Sequence, residues 1–243
     1  MNIKNYLISL TIATLFASAC AKAPVYSHKH DGQLKYISAD MRNAFSISDF
    51  PADESEEYYN DFETLKEWQK KRTKEQCLAA DKQHFASIQE IFPEYRDFFD
   101  SLSNSDKQFL YRVYEDAHTI NVNVKRRFTR PRPFLSDPSL NPCENIGRIG
   151  GYAYPSGHAT MAGTFEGVML AIDPQNEAGI KAAVRQAGLN RVIAGVHHPT
   201  DISAGDGLGR EIFKEFSKNQ KFMMKLKNLQ KKYEKFKSEK NNR

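Results

Sequence analysis

Three short blocks of this sequence carry side chains that could bind and transform an oxyanion. They supply three cations, one small hydroxyl, two imidazoles and one carboxylate, namely Lys125, Arg132, Arg191, Ser156, His158, His197 and Asp201. Cations can neutralise a phosphate-like group through charge-assisted hydrogen bonds, and a pair of imidazoles can act as nucleophile and proton donor. No cluster of Asp, His and Cys with metal-ligand spacing accompanies the blocks. The residues therefore predict a metal-independent site for a phosphate-like anion.

The middle block, Pro155-Ser156-Gly157-His158, is typical of the start of a helix. Ser156 suits the N-cap position, and the first backbone N–H groups of a helix point toward an anion together with the positive end of the helix dipole. Gly157 has no side chain and lets the backbone approach that anion closely. Since Ser-Gly-His is also a common N-cap sequence, the block gains its meaning from the other two.

The last block places His197 and Asp201 four residues apart, with a helix predicted to begin between them at Pro199. The carboxylate can then hold one ring nitrogen of His197, so that the other nitrogen presents its lone pair as a nucleophile. His198 is three residues before Asp201 and next to Pro199, and we interpret it as structural.

Arg191 lies on the apolar stripe of the helix predicted before this turn. A buried guanidinium needs an anionic partner, because an unpaired buried charge costs several kcal/mol. A structural Asp or Glu and a bound phosphate are the two candidates, and the neighbouring blocks favour phosphate.

The spacing Lys-x6-Arg-Pro, Pro-Ser-Gly-His and Arg-x5-His-x3-Asp resembles the signature of the phosphatidic-acid-phosphatase type 2 superfamily. That superfamily includes bacterial non-specific acid phosphatases, membrane lipid phosphatases and vanadium haloperoxidases. The resemblance covers roughly residues 115–209 and is closest to the soluble, class A-like bacterial acid phosphatases, through Arg132-Pro133-Phe134 and Arg191-Val192-Ile193. Asn190 and the run Tyr152-Ala153-Tyr154 depart from that group, which leaves the subclass and the substrate range open.

The resemblance implies an all-α, single-domain helical bundle of the acid phosphatase and vanadium haloperoxidase type. It implies that His197 attacks phosphorus to form a phosphohistidine, that His158 protonates the leaving oxygen, and that Asp201 orients His197. The groups implied to bind the phosphate are Lys125, Arg132, Ser156, Gly157 and Arg191. No cofactor is expected, vanadate is expected to inhibit, and the expected partners are small phosphomonoesters rather than nucleic acid.

Helical periodicity is the dominant pattern of the chain, and no β-type alternation occurs. Helices are predicted from Asp61, over 84–92, from an N-cap at Ser105, from Ser156 to Asp173, and from about Asn176 onward. The predicted organisation is a lead-in over residues 24–60, a helical phosphatase domain over 61–216 and a basic amphipathic tail over 217–243.

The N-terminus is typical of an export signal over residues 1–19, with cleavage expected between 19 and 23. The predicted location is therefore periplasmic or otherwise exported. Cys20 follows Ala17-Ser18-Ala19, so lipidation and ordinary cleavage both remain open. Cys77 and Cys143 form an even pair in an oxidising compartment, and a disulfide and two separate buried thiols are about equally expected.

The basic character of the chain belongs to its tail. The net charge is +5, but ten Lys and one Arg against three Glu give +8 over residues 214–243, which leaves −3 for the rest. The tail predicts a docked helix, with attraction to a membrane surface as the alternative. Arg126, Arg127 and Arg130 fall outside the signature spacing, and we expect them to form a solvated or substrate-steering rim.

Taken together, these features predict an exported acid phosphatase that hydrolyses phosphate monoesters. The alternatives are a lipid-phosphate phosphatase tethered through Cys20 or the tail, a vanadium haloperoxidase, and a surface lipoprotein that binds anions without turnover. A homo-oligomer is compatible with the sequence.

Overall fold

Helices account for all regular secondary structure in the part of the chain that the computed structural model describes, residues 34–83 and 85–242. The α-helices are α1 (Glu56–Lys71), α2 (Lys74–Asp81), α3 (Ile88–Ile91), α4 (Arg96–Ser101), α5 (Asn104–Lys125), α6 (Pro133–Ser136), α7 (Gly157–Ile172), α8 (Glu177–Ile193), α9 (Pro199–Phe216) and α10 (Gln220–Asn241). Short 3-10 helices span Ala39–Asn43, Pro93–Tyr95 and Pro174–Asn176. The all-α prediction is confirmed. The expected export signal, residues 1–19, and Cys20 lie outside the described residues.

Helix α7 is the centre of the bundle and packs against α5, α8, α9 and α10. Its sequence, from Gly157 to Ile172, is apolar on nearly every side, which is the pattern of a helix surrounded by other helices. Side chains such as Phe165, Val168 and Met169 are at most 1% exposed. The N-terminus of α7 is therefore held from several sides, and this is the end that carries the Pro-Ser-Gly-His block.

Glycines bring α9 into direct backbone contact with α7. A Cβ atom at Gly205 would lie 2.5 Å from the carbonyl oxygen of Ser156, and one at Gly163 would lie 2.5 Å from that of Asp206. Real Cβ atoms do not approach a carbonyl oxygen that closely, so only glycine fits these two positions. The close crossing fixes the start of α9, with Asp201, against the start of α7.

Helix α5 carries Lys125 as its last residue. Its buried stripe includes Val113, Ala117, Ile120 and Val124, all fully shielded from solvent. The helix begins after Ser103, whose hydroxyl accepts the Asp106 N–H, rather than after the predicted N-cap Ser105.

The region before α5 differs most from the sequence prediction. Helix α1 begins at Glu56, five residues before the expected start, because Ser55 caps it by accepting the Tyr58 N–H. The pattern over residues 84–92 gives only the single turn of α3 among its described residues. Helix α2 was not predicted, since its eight residues carry no apolar period.

Helix α2 is fixed by contacts outside itself. Thr73 and Gln76 form a reciprocal capping box at its N-terminus. Cys77 forms a disulfide with Cys143, which settles the question that the sequence left open. Since Cys143 donates its backbone N–H to Ala194 just after α8, the disulfide ties α2 to the end of α8.

The basic tail forms α10, which docks against the bundle. Phe222, Leu226 and Leu229 are buried, as the amphipathic pattern predicts. Lysines of α10 form ion pairs with other elements, in the pairs Lys232–Asp106, Lys237–Asp173 and Lys240–Asp97.

Of the helices described, none combines the length and the apolar character that crossing a lipid bilayer requires.

Candidate active site

The Ser156 turn joins the second and third sequence blocks. Ser156 is fully buried, caps α7 by accepting the Ala159 N–H at 3.4 Å, and donates its own N–H to the Asp201 carbonyl at 2.9 Å. Gly157 follows as the first residue of α7, and a Cβ atom there would lie 3.3 Å from the side-chain oxygen of Asn121. The predicted N-cap is confirmed, and the backbone N–H groups of this turn lie at the start of a 16-residue helix.

His197 is held between a carboxylate and a guanidinium. Its Nδ1 lies 3.3 Å from Asp201 Oδ2, and its Nε2 lies 2.7 Å from Arg132 Nη1. Because a guanidinium only donates hydrogen bonds, Nε2 must be the acceptor and Nδ1 carries the proton. This is the tautomer in which Nε2 presents a lone pair.

The environment keeps His197 neutral. Burial and the neighbouring Arg132 lower the pKa of His197 well below its ordinary value, outweighing the opposing effect of Asp201. Burial alone would raise the pKa of Asp201, but hydrogen bonds from His197 and His198 outweigh it and hold that pKa well below its usual range. At neutral pH the pair therefore consists of an ionised carboxylate and a neutral imidazole.

Asp201 also serves the neighbouring histidine. Its Oδ2 accepts the His198 N–H at 2.8 Å and lies 3.0 Å from His198 Nδ1. The His198 ring packs edge-on against Phe62, with ring centres 5.3 Å apart, at the N-cap of α9. These contacts give His198 a structural role at the start of α9, as the sequence indicated.

Two of the predicted cations line the same region as His197. Arg132 donates to the Val196 carbonyl at 2.9 Å and to the carbonyls of Gly150 and Gly151 at 3.3 Å. Lys125 Nζ donates to the Tyr152 carbonyl at 2.9 Å and to that of Ala153 at 3.2 Å. Burial lowers the pKa of Arg132 to about 10, whereas burial and the positive charge of Arg132 lower that of Lys125 to about 7.

His158 and Arg191 contact a different part of the molecule. His158 Nε2 lies 2.7 Å from the carbonyl oxygen of Gln83, and Arg191 Nη2 donates to the carbonyl oxygen of Ala80. Both carbonyls belong to residues 80–83, the end of α2 and the turn after it. We call this stretch the α2 turn.

Arg191 does not pair with a described Asp or Glu side chain, which was one of the two partners that the sequence suggested. The predicted burial is confirmed, since only 3% of it is exposed, but it donates to a backbone carbonyl rather than to a carboxylate. Its Nε–H is buried and has no hydrogen-bond acceptor among the residues that the structure describes. Burial lowers the pKa of Arg191 to about 10, and Asp81 and Glu90 only partly oppose that. A buried guanidinium with an unused donor is suited to binding an anion.

One prediction for the basic run is wrong. Arg130 is not part of a solvated rim: its side chain is 3% exposed and forms ion pairs with Asp201 and Asp61, each at 2.7 Å. Arg126 and Arg127 are exposed, as expected. Neither periodicity nor the signature spacing distinguishes Arg130 from its exposed neighbours, and Asp61 lies 69 residues away along the chain.

No grouping of three or more His, Cys, Asp or Glu side chains that could hold a metal ion occurs within residues 34–83 and 85–242. The charged groups of the site suit an oxyanion, because the buried Arg132 and Arg191 and the partly buried Lys125 donate to uncharged carbonyls.

Comparisons with known proteins agree with this arrangement. Residues 112–216 match the model of the PAP2 superfamily. An acid phosphatase of Zymomonas mobilis subsp. mobilis is 29% identical over 109 residues, which are 43% of this chain and 39% of that protein. A decaprenylphosphoryl-5-phosphoribose phosphatase of Mycolicibacterium smegmatis is 35% identical over 92 residues, 37% of this chain and 46% of that protein. The chain thus spans less than half the length of these curated relatives.

Two solved structures share the fold. A transmembrane PAP2-type phosphatidylglycerolphosphate phosphatase from Bacillus subtilis superposes with a TM-score of 0.50 at 19% identity, over 66% of this chain and 84% of that one. A bacterial vanadium-dependent iodoperoxidase superposes with a TM-score of 0.55 at 18% identity, over 73% of this chain and 53% of that one. Residues 112–216, the PAP2 region, match the PAP2 superfamily model and carry every predicted site residue from Lys125 to Asp201.

Proposed function

We propose that this chain is a phosphate-ester hydrolase that acts on phosphomonoesters through a phosphohistidine at His197. The observation that carries the proposal is the fixed orientation of His197, whose Nε2 lone pair faces the Arg132 guanidinium while Nδ1 is held by Asp201. A neutral imidazole with a directed lone pair beside a cation is the arrangement that attack on an anionic phosphorus centre needs.

Substrate binding uses the cations and the start of α7. The non-bridging oxygens of the phosphate accept from Arg132, Lys125 and Arg191, replacing the backbone carbonyls that these side chains now contact. An anion is a stronger acceptor than a carbonyl, so the exchange is favourable. The N–H groups after Ser156 add the positive end of the α7 dipole.

When Arg132 Nη1 turns from His197 Nε2 to a phosphate oxygen, the Nε2 lone pair becomes free. In the first chemical step, His197 Nε2 then attacks phosphorus and the bond from phosphorus to the ester oxygen breaks. His158 supplies a proton to that oxygen, so the alcohol leaves neutral. A carbonyl oxygen only accepts, so the contact with Gln83 is supported by a proton on His158 Nε2, and we propose that the ring is the imidazolium when substrate binds. The leaving oxygen takes over the place of the Gln83 carbonyl as partner of this proton.

In the second step, water attacks the phosphohistidine. His158, now neutral, takes a proton from the water as the new phosphorus–oxygen bond forms and the phosphorus–nitrogen bond breaks. Inorganic phosphate leaves, His197 regains its lone pair, and His158 is protonated again. Asp201 stays ionised throughout and stabilises the positive charge on the His197 ring.

We also propose that the protein is exported, which the disulfide between Cys77 and Cys143 supports because such bonds persist in oxidising compartments. An acidic pH optimum follows from the two cationic requirements of the site, a charged Lys125 and a protonated His158.

The first test is turnover of p-nitrophenyl phosphate by the purified chain. The second incubates the chain with a radiolabelled phosphomonoester, stops the reaction without acid and measures the label bound to the protein. We expect a phosphoenzyme that is labile to acid and stable to alkali, absent from His197→Ala. His198→Asn, the neighbouring substitution, should still form it. Turnover should survive EDTA and be inhibited by vanadate. Absence of turnover, or a full phosphoenzyme signal in His197→Ala, would contradict the proposal.

A lipid-phosphate phosphatase is the second candidate, favoured by the outer face of α10. Lys221, Lys225, Lys227 and Lys231 are exposed there and form no ion pair with described residues. Lysines on an amphipathic helix are attracted to anionic lipid surfaces. One relative, 33% identical over 57 residues, is a lipid A 1-phosphatase of Rhizobium etli, and this chain spans a quarter of it. Turnover of lysophosphatidate that rises on anionic vesicles, and does so less after exchange of these lysines for glutamine, would select this candidate.

The third candidate, a vanadium haloperoxidase, rests on fold likeness alone. Oxidation of bromide or iodide by hydrogen peroxide in the presence of vanadate tests it directly.

A further inference from the structure

The two oxygens of the Asp201 carboxylate have different partners. Oδ2 serves His197 and His198, whereas Oδ1 accepts from Arg130 Nη1 at 2.7 Å. Asp201 is fully buried, so a carboxylate free to rotate there would leave one oxygen without a donor. Arg130 fills that place and so determines which oxygen faces the histidines.

Arg130 is itself held by a second buried carboxylate. Its Nη2 donates to Asp61 Oδ2 at 2.7 Å, and its Nη1 also lies 2.6 Å from the hydroxyl of Thr200. That hydroxyl is 2.5 Å from Asp61 Oδ2. The four side chains form one closed network in which both charged groups beside Arg130 are at most 2% exposed.

We propose that Asp61 and Arg130 are positioning residues of the phosphatase reaction, which hold Asp201 in the rotamer that orients His197. The inference rests on the proposed function. Asp61 belongs to α1, outside residues 112–216, so part of the support for the proposed nucleophile comes from an element outside the region that matches the PAP2 model.

Charge explains why two carboxylates are needed. With Arg130 between Asp61 and Asp201, the three groups carry a net charge of −1. Asp201 therefore keeps an uncompensated negative charge for His197, whose ring becomes positive when it is phosphorylated. Without Asp61, Arg130 would neutralise Asp201, and that stabilisation would weaken.

A purely structural role for Asp61 is the alternative. Its Oδ1 accepts the Thr200 N–H at 3.0 Å and thereby caps the first turn of α9. Asp61→Asn separates the two roles, because an amide oxygen can keep this cap while the negative charge that compensates Arg130 is removed.

The first arm of the experiment compares kcat and KM of the full chain on p-nitrophenyl phosphate. We expect Asp61→Asn to lower kcat on the order of tenfold to a hundredfold, as misplacement of a reacting group does, with KM and inhibition by inorganic phosphate little changed. Arg130→Gln should lower kcat further, and Arg130→Lys should restore part of the loss. In an Asp201→Asn background, Asp61→Asn should have no further effect on kcat.

Asp173→Asn is the matched control. It removes an equally buried carboxylate, at the C-terminal end of α7, that contacts Tyr95 and Lys237 rather than Asp201. It should lower the melting temperature and leave kcat near that of the wild type, with activity measured well below the melting temperature of each variant.

The second arm reads the His197 ring without turnover, through ¹⁵N NMR of labelled imidazoles assigned with His197→Gln. The wild type should show the Nδ1–H tautomer, and Asp61→Asn and Arg130→Gln should shift His197 toward a tautomer mixture. A wild type without turnover overturns the proposed function, and this arm then still tests the positioning. An unchanged tautomer together with wild-type kcat in Asp61→Asn, or an equal loss of kcat in the Asp201→Asn background, would overturn the inference.

Discussion

The two histidines of the site are held in different ways. His197 belongs to a closed network of charged side chains that includes Arg132, Asp201 and Arg130. His158, together with Arg191, contacts backbone carbonyls of the α2 turn, which lies outside the PAP2 region. The side of the proposed nucleophile is thus oriented in the free protein. On the side of the proposed leaving-group acid, the substrate would have to replace the contacts with the α2 turn, so we expect differences between substrates to appear there.

The largest effect is expected on kcat, where substitution of His158 and of His197 should differ in how the loss depends on the leaving group of the substrate. His158→Ala should lose about 10²–10⁴-fold in kcat on an alkyl phosphate, the range of general-acid catalysis, and far less on p-nitrophenyl phosphate, whose leaving group needs no proton. His197→Ala should lose both activities alike. Steady-state rates on the two substrates measure the contrast, and equal losses in His158→Ala would remove its assignment as leaving-group acid.

Substitution of the two arginines should affect kcat/KM alike but the free energy of unfolding differently. Replacing Arg132 or Arg191 by methionine should cost about 3 kcal/mol of transition-state stabilisation, by analogy with loss of a preorganised donor. Arg191→Met should keep or raise the free energy of unfolding, because it removes a buried charge that has no carboxylate partner and an unused Nε–H. Kinetics and urea unfolding measure the two quantities. Near-normal kcat/KM in either variant would show that its arginine is structural.

Removal of the disulfide should weaken the contacts of the α2 turn with His158 and Arg191 and leave the network around His197 intact. The Cys77–Cys143 bridge spans 66 residues, so its loss should lower the free energy of unfolding by about 4 kcal/mol in the chain-entropy model. Cys143→Ser should still form the phosphohistidine but should show a changed KM and weaker discrimination between leaving groups. Loss of the phosphoenzyme in a folded variant would contradict the division of the site into two sides.

The smallest effect expected is a dependence of KM on pH. Burial, together with Arg132, lowers the pKa of Lys125 to about 7, so this side chain is charged below that pH and becomes neutral above it. KM should therefore rise as pH increases through about 7, whereas Lys125→Arg, which stays charged, should show a flatter profile. His197 remains neutral over this range because its pKa lies well below the ordinary value.

Local patterns in the sequence predicted the elements that carry the signature. Ser156 caps α7, Pro199 begins α9, and Arg191 lies on the buried face of α8, since each of these features depends on neighbours within one or two helical turns. The roles of the signature residues remain predictions.

Features fixed by distant contacts were not predictable in the same way. Helix α2 has no apolar period. It is held by a disulfide between cysteines 66 residues apart in the chain and by contacts of the α2 turn with Arg191 and His158. Arg130 has the same residue type as its exposed neighbours, and its buried partners Asp61 and Asp201 lie 69 and 71 residues away in the chain.

The glycine contact between α7 and α9 limits how this fold can diversify. Ser156 and Asp201 share a backbone hydrogen bond, and Gly205 leaves no room for a side chain between their helices. No side chain lies between the two helices at this point, so substitutions there cannot adjust the distance between the Ser156 turn and His197, the proposed nucleophile. New substrates can be accommodated only through changes in the segments packed around this helix pair. Homologues should therefore share the α7–α9 contact and differ in the surrounding segments.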